Sequence, residues 1–328
     1  MTTDRPNEQR LERLREEAWE KGVVAGRGVD VAGGPIPRKP GYYGQPVVRP
    51  PVWTWEIPFY FFVGGMAGMA AVIASPAIIF HHVDLARAAM WLAAIAGVVL
   101  SPILLIMDLG RPHLFLNMLR VFKHRSPMSM GAWILTVFGM CTVAGLIALE
   151  LHAHQIFPGT PDQLVRLAAG IFVFGAAIFG TLLATYTGVL IGATAIPAWF
   201  LHRTLLPIHF GTAGLGSAAG VLELLGHRIA ALNFLGFYAA AVETALLILL
   251  SVDKHGAADR AIHEHGSGWL IRIGEIFNGP LALVLRFFGL IPFAAISFLL
   301  GALVSRIGWF AVGKVSGSDP EAVFASQR

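Results

Sequence analysis

Glu56 and Tyr60 stand four residues apart, so a helix through them carries a carboxylate and a phenol on one face. The run Asp108-Leu-Gly-Arg-Pro-His adds a second carboxylate and the guanidinium of Arg111. Tyr186-Thr-Gly adds another phenol, and His209 an imidazole. Donors and titratable groups among apolar neighbours suit a quinone, whose carbonyls take hydrogen bonds and whose reduction takes protons. A second set, Glu243, Glu150 and Glu223, lies in or at the ends of apolar runs. A carboxylate there is protonated, paired or hydrated, which suits a proton path. Each residue also has a plainer reading. Tyr60 with Trp53 and Trp55 fits an interfacial aromatic belt. Asp108 with Arg111 fits a structural ion pair, His209 a helix-end residue, and Glu243 a buried carboxyl that ties helices.

The elements that position these groups are apolar. The 328 residues are 55% hydrophobic and only 13% charged, against about a quarter charged in soluble domains. Eight runs approach the roughly 20 residues that cross a bilayer core. They are Ile57–Phe80, Ala88–Met107, Gly131–Leu151, Leu164–Thr187, Pro207–Leu225, Leu232–Val252, Trp269–Phe287 and Gly289–Val312. The expected fold is an all-α integral membrane protein of eight transmembrane helices. The fourth run stays apolar to Phe200, so it protrudes or bends near Pro197. Arg272, Glu275 and Asn278-Gly-Pro280 interrupt the seventh. Pro58-Phe-Tyr-Phe with Gly65 repeats as Pro207-Ile-His-Phe with Gly214, which reads either as two four-helix bundles in the same orientation or as chance recurrence of small and aromatic residues in membrane helices. Antiparallel threading brings Glu56, Tyr60, Asp108, Tyr186 and His209 to one face.

Residues 1–56 form a polar arm, extended from Gly22 to Pro51 by its Gly and Pro content and suited to contacting a partner. The membrane domain spans 57–312, and a short tail 313–328. The net charge of +4 does not indicate nucleic acid, because the basic residues fall in tails and loops between apolar runs. With both tails on one side, and Arg306 counted with the C-terminal tail, that side holds 20 of the 24 Lys and Arg residues, against the loop charges Arg87, Arg166, Arg228 and Arg286 on the other. Positive charge marks the cytoplasmic face, and no secretory signal is visible. Both termini are therefore expected in the cytoplasm, and the protein in a bacterial or archaeal inner membrane. The lone Cys141 builds neither a disulfide nor an iron–sulfur cluster. No metal site and no haem is expected in this chain, nor residues that catalyse alone.

These residues resemble the polysulfide reductase membrane-subunit family, NrfD/PsrC. The carriers are Trp53-Thr-Trp-Glu-Ile-Pro-Phe-Tyr-Phe-Phe-Val-Gly-Gly, Asp108-Leu-Gly-Arg-Pro, Asn117-Met-Leu-Arg-Val-Phe-Lys and Ser126-Pro-Met-Ser. Tyr186-Thr-Gly-Val-Leu and Gly308-Trp-Phe-Ala-Val-Gly-Lys with Ser318-Asp-Pro add to them. The resemblance extends from about Tyr42 to the C-terminus. It implies an eight-helix anchor that binds menaquinone or ubiquinone. It further implies a docked four-cluster iron–sulfur subunit on the tail side and a molybdopterin-type catalytic subunit in the same complex. The family's quinone site, beside the start of helix one and the end of helix four, corresponds to Glu56, Tyr60 and Tyr186. Where a relative carries an Asn and a His at the start of helix one, this chain has Glu56, Ile57 and Tyr60. In many relatives the tail side faces the periplasm, whereas loop charge here indicates the cytoplasm. Two other classes stand beside this reading. A haem-b anchor needs paired histidines at matched depth, and a transporter would use Glu243 and the broken seventh helix as a substrate path.

Overall fold

The computed structural model describes residue 48 and residues 53–326, apart from 110, 157, 253–255, 257–259, 264 and 265. The arm from Gly22 to Pro51 lies outside them except for Val48. Among the described residues, eight helices are long and apolar enough to cross a membrane. They are α1 (Glu56–Ile79), α2 (Val83–Asp108), α3 (Pro127–Ala153), α4 (Thr160–Gly192), α5 (Leu205–Leu224), α6 (Ala230–Val252), α7 (Gly266–Phe287) and α8 (Ile291–Ser318).

Local chemistry sets their ends. Ser126 caps α3 by accepting a hydrogen bond from the Ser129 amide at 3.4 Å, with Pro127 in the first turn. Gly159, at φ 85°, makes the turn into α4 that a side chain would strain. The long apolar stretch of the fourth run does not protrude as one helix. It ends at Gly192, and a separate turn of helix, Pro197–Leu201, carries Trp199 into the core. Helix α8 continues to Ser318, past the expected Val312, and Asp319 caps a further short helix, Pro320–Ala325. Both α2 and α7 contain a widened π turn, at Ala94–Leu100 and Phe277–Leu281. The second coincides with Asn278-Gly-Pro280, where Gly279 leaves helical geometry.

Two glycine crossings hold the bundle. A Cβ on Gly68 would lie 2.2 Å from the Gly180 carbonyl oxygen, and one on Gly180 would lie 2.3 Å from that of Gly68. Only glycine lets α1 and α4 approach so closely, which in lipid is how helices gain contact. At the second crossing a Cβ on Gly214 would lie 2.7 Å from the Gly65 carbonyl oxygen. The two glycines matched in the repeat therefore meet each other across α1 and α5. Helices α1–α4 pack as one four-helix half and α5–α8 as the other, joined through α1, α4, α5 and α8. Outward faces are apolar, as along Leu164, Leu167, Ile171, Phe174 and Ile178 of α4, all exposed. Such a stripe, with no polar partner, belongs against lipid.

Candidate functional site

The Gly68–Gly180 crossing fixes the depth of the two phenols. Tyr60 precedes Gly68 by eight residues on α1, and Tyr186 follows Gly180 by six on the antiparallel α4. Both therefore lie about 9–12 Å from the crossing toward the tail side. Tyr60 is buried beside Gly64 and Ser101, where α2 has its π turn. Tyr186 is buried against Gly131 of α3, where a Cβ would lie 2.1 Å from its hydroxyl. Among the described residues neither hydroxyl has a hydrogen-bond partner. Each has a proton to donate and no acceptor for it among the described residues.

The carboxylates gather above them. Glu56 is almost completely buried at the start of α1. The Thr54 hydroxyl makes a short hydrogen bond to Glu56 and reaches Asp108 Oδ1 at 3.3 Å. One hydroxyl proton serves one acceptor at a time, so Thr54 donates to Glu56 and stands within reach of Asp108, between the start of α1 and the end of α2. Arg111 is exposed in the following loop. Trp53 stacks on Trp199 with ring centroids 5.8 Å apart, so it anchors the tail-side entry inside the protein.

His209 shares the depth of Tyr60, since each precedes its glycine of the α1–α5 crossing by five residues. It faces the other half. Its Nδ1 lies 2.7 Å from Glu243 Oε2, and its Nε2 lies 3.0 Å from Ser305 Oγ and 3.3 Å from Glu275 Oε1. Ser305 donates to Glu275 Oε1 at 2.8 Å, and Thr212 makes a short hydrogen bond to Glu243. Arg306, fully buried on α8, donates to the Phe210 carbonyl at 3.0 Å and sits 4.9 Å over the Phe210 ring. The structure thus joins His209 and Glu243, which the sequence assigned to different sets. It adds Glu275, Ser305 and Arg306, which sequence reasoning missed. The signal available was charge inside apolar runs; Glu275 was read as a helix interruption and Arg306 as a tail charge.

His209, Glu243 and Glu275 each offer a donor atom within 4.8 Å of the others, the spacing of a metal site. The imidazole, however, turns one nitrogen to each carboxylate. A common ion would have to break the Nδ1–Glu243 or the Nε2–Ser305 hydrogen bond, so the arrangement favours protons over a metal.

The other two sequence-predicted carboxylates lie on the opposite side. Arg87 grips Glu150 through Nε at 3.1 Å and Nη2 at 2.6 Å, and the Trp91 indole donates to it at 2.9 Å. Glu223 accepts from both terminal nitrogens of Arg286 at 2.8 and 2.7 Å, and Arg286 also donates to Asn233. Arg286, counted in the sequence as a loop charge, is buried in α7. The guanidinium fits there because Gly236 of α6 presents no side chain.

Residues 45–252 match the family described as polysulphide reductase, NrfD. The chain belongs to that family. The match covers α1 to α6, narrower than the resemblance read through to the C-terminus. The NrfD region therefore includes Tyr60, Tyr186, His209 and Glu243, whereas Glu275, Ser305 and Arg306 follow it. No curated protein matches the chain. Membership makes this NrfD protein a multi-pass membrane subunit of an oxidoreductase complex.

Proposed function

We propose that this subunit exchanges electrons and protons between an iron–sulfur partner and membrane menaquinone or ubiquinone. The observation that carries the reading is the pair of buried phenols, Tyr60 and Tyr186, whose hydroxyls have no acceptor among the described residues. A quinone has two carbonyl acceptors, and on reduction to the quinol it takes up two electrons and two protons. Tyr60 and Tyr186 hold and orient the headgroup by donating to its carbonyls. The carboxylates of Glu56 and Asp108 beside Thr54 carry protons between the tail-side surface and the pocket. Arg111 keeps that entry positive. His209 belongs to the second cluster, where Glu243 serves proton handling. The ion-paired Glu150 and Glu223 mark the opposite surface.

The partner subunit docks on the tail side, close to the phenols, with the molybdopterin-type catalytic subunit beyond it. The 3-10 helix Pro112–Leu119 has no buried residue, and Leu116 and Phe122 stand exposed near Arg120 and Lys123. Apolar anchors within a basic rim fit a docked protein. Loop charge places that face in the cytoplasm.

A photoreactive quinone analogue, irradiated with the purified complex and mapped by peptide mass spectrometry, tests the reading. Labels on tail-side peptides of α1 and α4, competed by excess quinone, are the expected result. Competable labelling confined to α5–α8 would overturn it.

A further inference from the structure

The second half contains a line of polar atoms that the quinone reading does not use. On α7, Glu275 stands about one turn before Asn278 in the π turn, and Arg286 follows beyond it. Both amide atoms of Asn278, Glu275 Oε2 and Arg286 Nε are buried without a protein partner, as is Arg306 Nε on α8. Leaving a buried polar group unsatisfied is costly, and buried polar atoms of this kind are ordinarily met by water. The helix opens at the same place. Gly279 leaves helical geometry in the π turn, and a Cβ there would lie 3.0 Å from the Thr244 hydroxyl, next to Glu243 on α6. At the far end, a cavity of about 310 Å³ is lined by Glu223, Arg228, Asn233 and Pro292, so it reaches the Glu223–Arg286 pair from outside.

We infer that His209 and Glu243 hold one exchangeable proton, reached from the far side through water at the Asn278–Gly279 break of α7. Hydrogen-bond counting places it. The single Ser305 proton goes to Glu275, so His209 Nε2 donates to Ser305. Nδ1 and Glu243 Oε2, 2.7 Å apart, then share the remaining proton. With that proton on Glu243, the buried groups reduce to one pair of opposite charges, Glu275 and Arg306. With it on His209 there are two such pairs, and each further buried charge carries a desolvation penalty. The proton therefore rests on Glu243. Thr212 holds the other Glu243 oxygen, and Arg306 supplies the positive charge that offsets the remaining carboxylate. The site deepens the proton-handling part of the proposed function, and its test requires no quinone, so the two readings fail separately.

Infrared spectroscopy of the full chain in lipid bilayers is the test, with the hydrogen–deuterium shift of the protonated-carboxyl stretch as the readout. The wild type should show such a band, and Glu243→Gln should remove it. Asn278→Leu, which replaces the amide by an apolar side chain of similar size, should slow its exchange about tenfold or more, whereas Asn278→Ser should retain fast exchange. Should Asn278→Leu fail to accumulate, Thr244→Val lines the same break and should slow exchange likewise. A spectrum unchanged by Glu243→Gln overturns the proton site. Exchange as fast in the apolar variant as in the wild type overturns the route.

Discussion

Replacing Tyr60 or Tyr186 by Phe separates a functional hydroxyl from a structural one. A buried tyrosine hydroxyl bonded to protein stabilises by about 1 kcal/mol, and its removal leaves the former partner unsatisfied. Neither of these hydroxyls has a protein partner among the described residues, so removing it orphans nothing. Rings and volumes are kept, including the contact of Tyr186 with Gly131. Unfolding free energy should therefore change by less than about 0.5 kcal/mol. Quinone turnover should fall about tenfold for each variant, the ratio that 1.4 kcal/mol of lost hydrogen bonding produces. Thermal unfolding followed by tryptophan fluorescence gives the first quantity. Quinol-linked turnover of the purified complex gives the second, and transfer to an artificial acceptor at the catalytic subunit should be unaffected. Full quinone turnover in both variants, with stability lowered by about 1 kcal/mol or more, would refute the assignment and make the hydroxyls structural.

A reporter enzyme active only outside the cytoplasm, fused to the C-terminus, should give no signal; strong activity reverses the orientation and moves the partner to the other face. Gly68→Leu places a branched side chain where a single Cβ already lies 2.2 Å from the Gly180 carbonyl oxygen. It should force α1 from α4, lower stability by about 1–3 kcal/mol or more, and reduce quinone turnover by separating the phenols; unchanged melting and turnover would mean the crossing is looser than described. Arg286→Met strands the Glu223 carboxylate and should cost about 3–5 kcal/mol, whereas Arg286→Met with Glu223→Gln should recover part of it. Equal losses in the single and double variants would show that packing, not the ion pair, sets the cost.

The sequence by itself determined the number of spans and the approximate depth of residues along them. Twenty-residue apolar runs fix the number of spans, because 1.5 Å per residue must cover the hydrocarbon core. Asn278-Gly-Pro280 fixes the break in α7, since proline lacks the donor that a regular helix needs. The same rise puts Tyr60, Tyr186 and His209 near one depth. Rotation about each helix axis, and the identity of each neighbour, were not legible. Hydropathy in these spans has little sidedness, because lipid and protein interior are both apolar. His209 was therefore grouped with Tyr60, although the two side chains serve different halves of the bundle. Only the tertiary structure turned His209 toward Glu243 and Glu275, which lie 34 and 66 residues further along the chain. It likewise drew Arg286 and Arg306 inward from the counted loop and tail charges, because a guanidinium is tolerated in the bundle only where another helix supplies carboxylates or carbonyls to meet it.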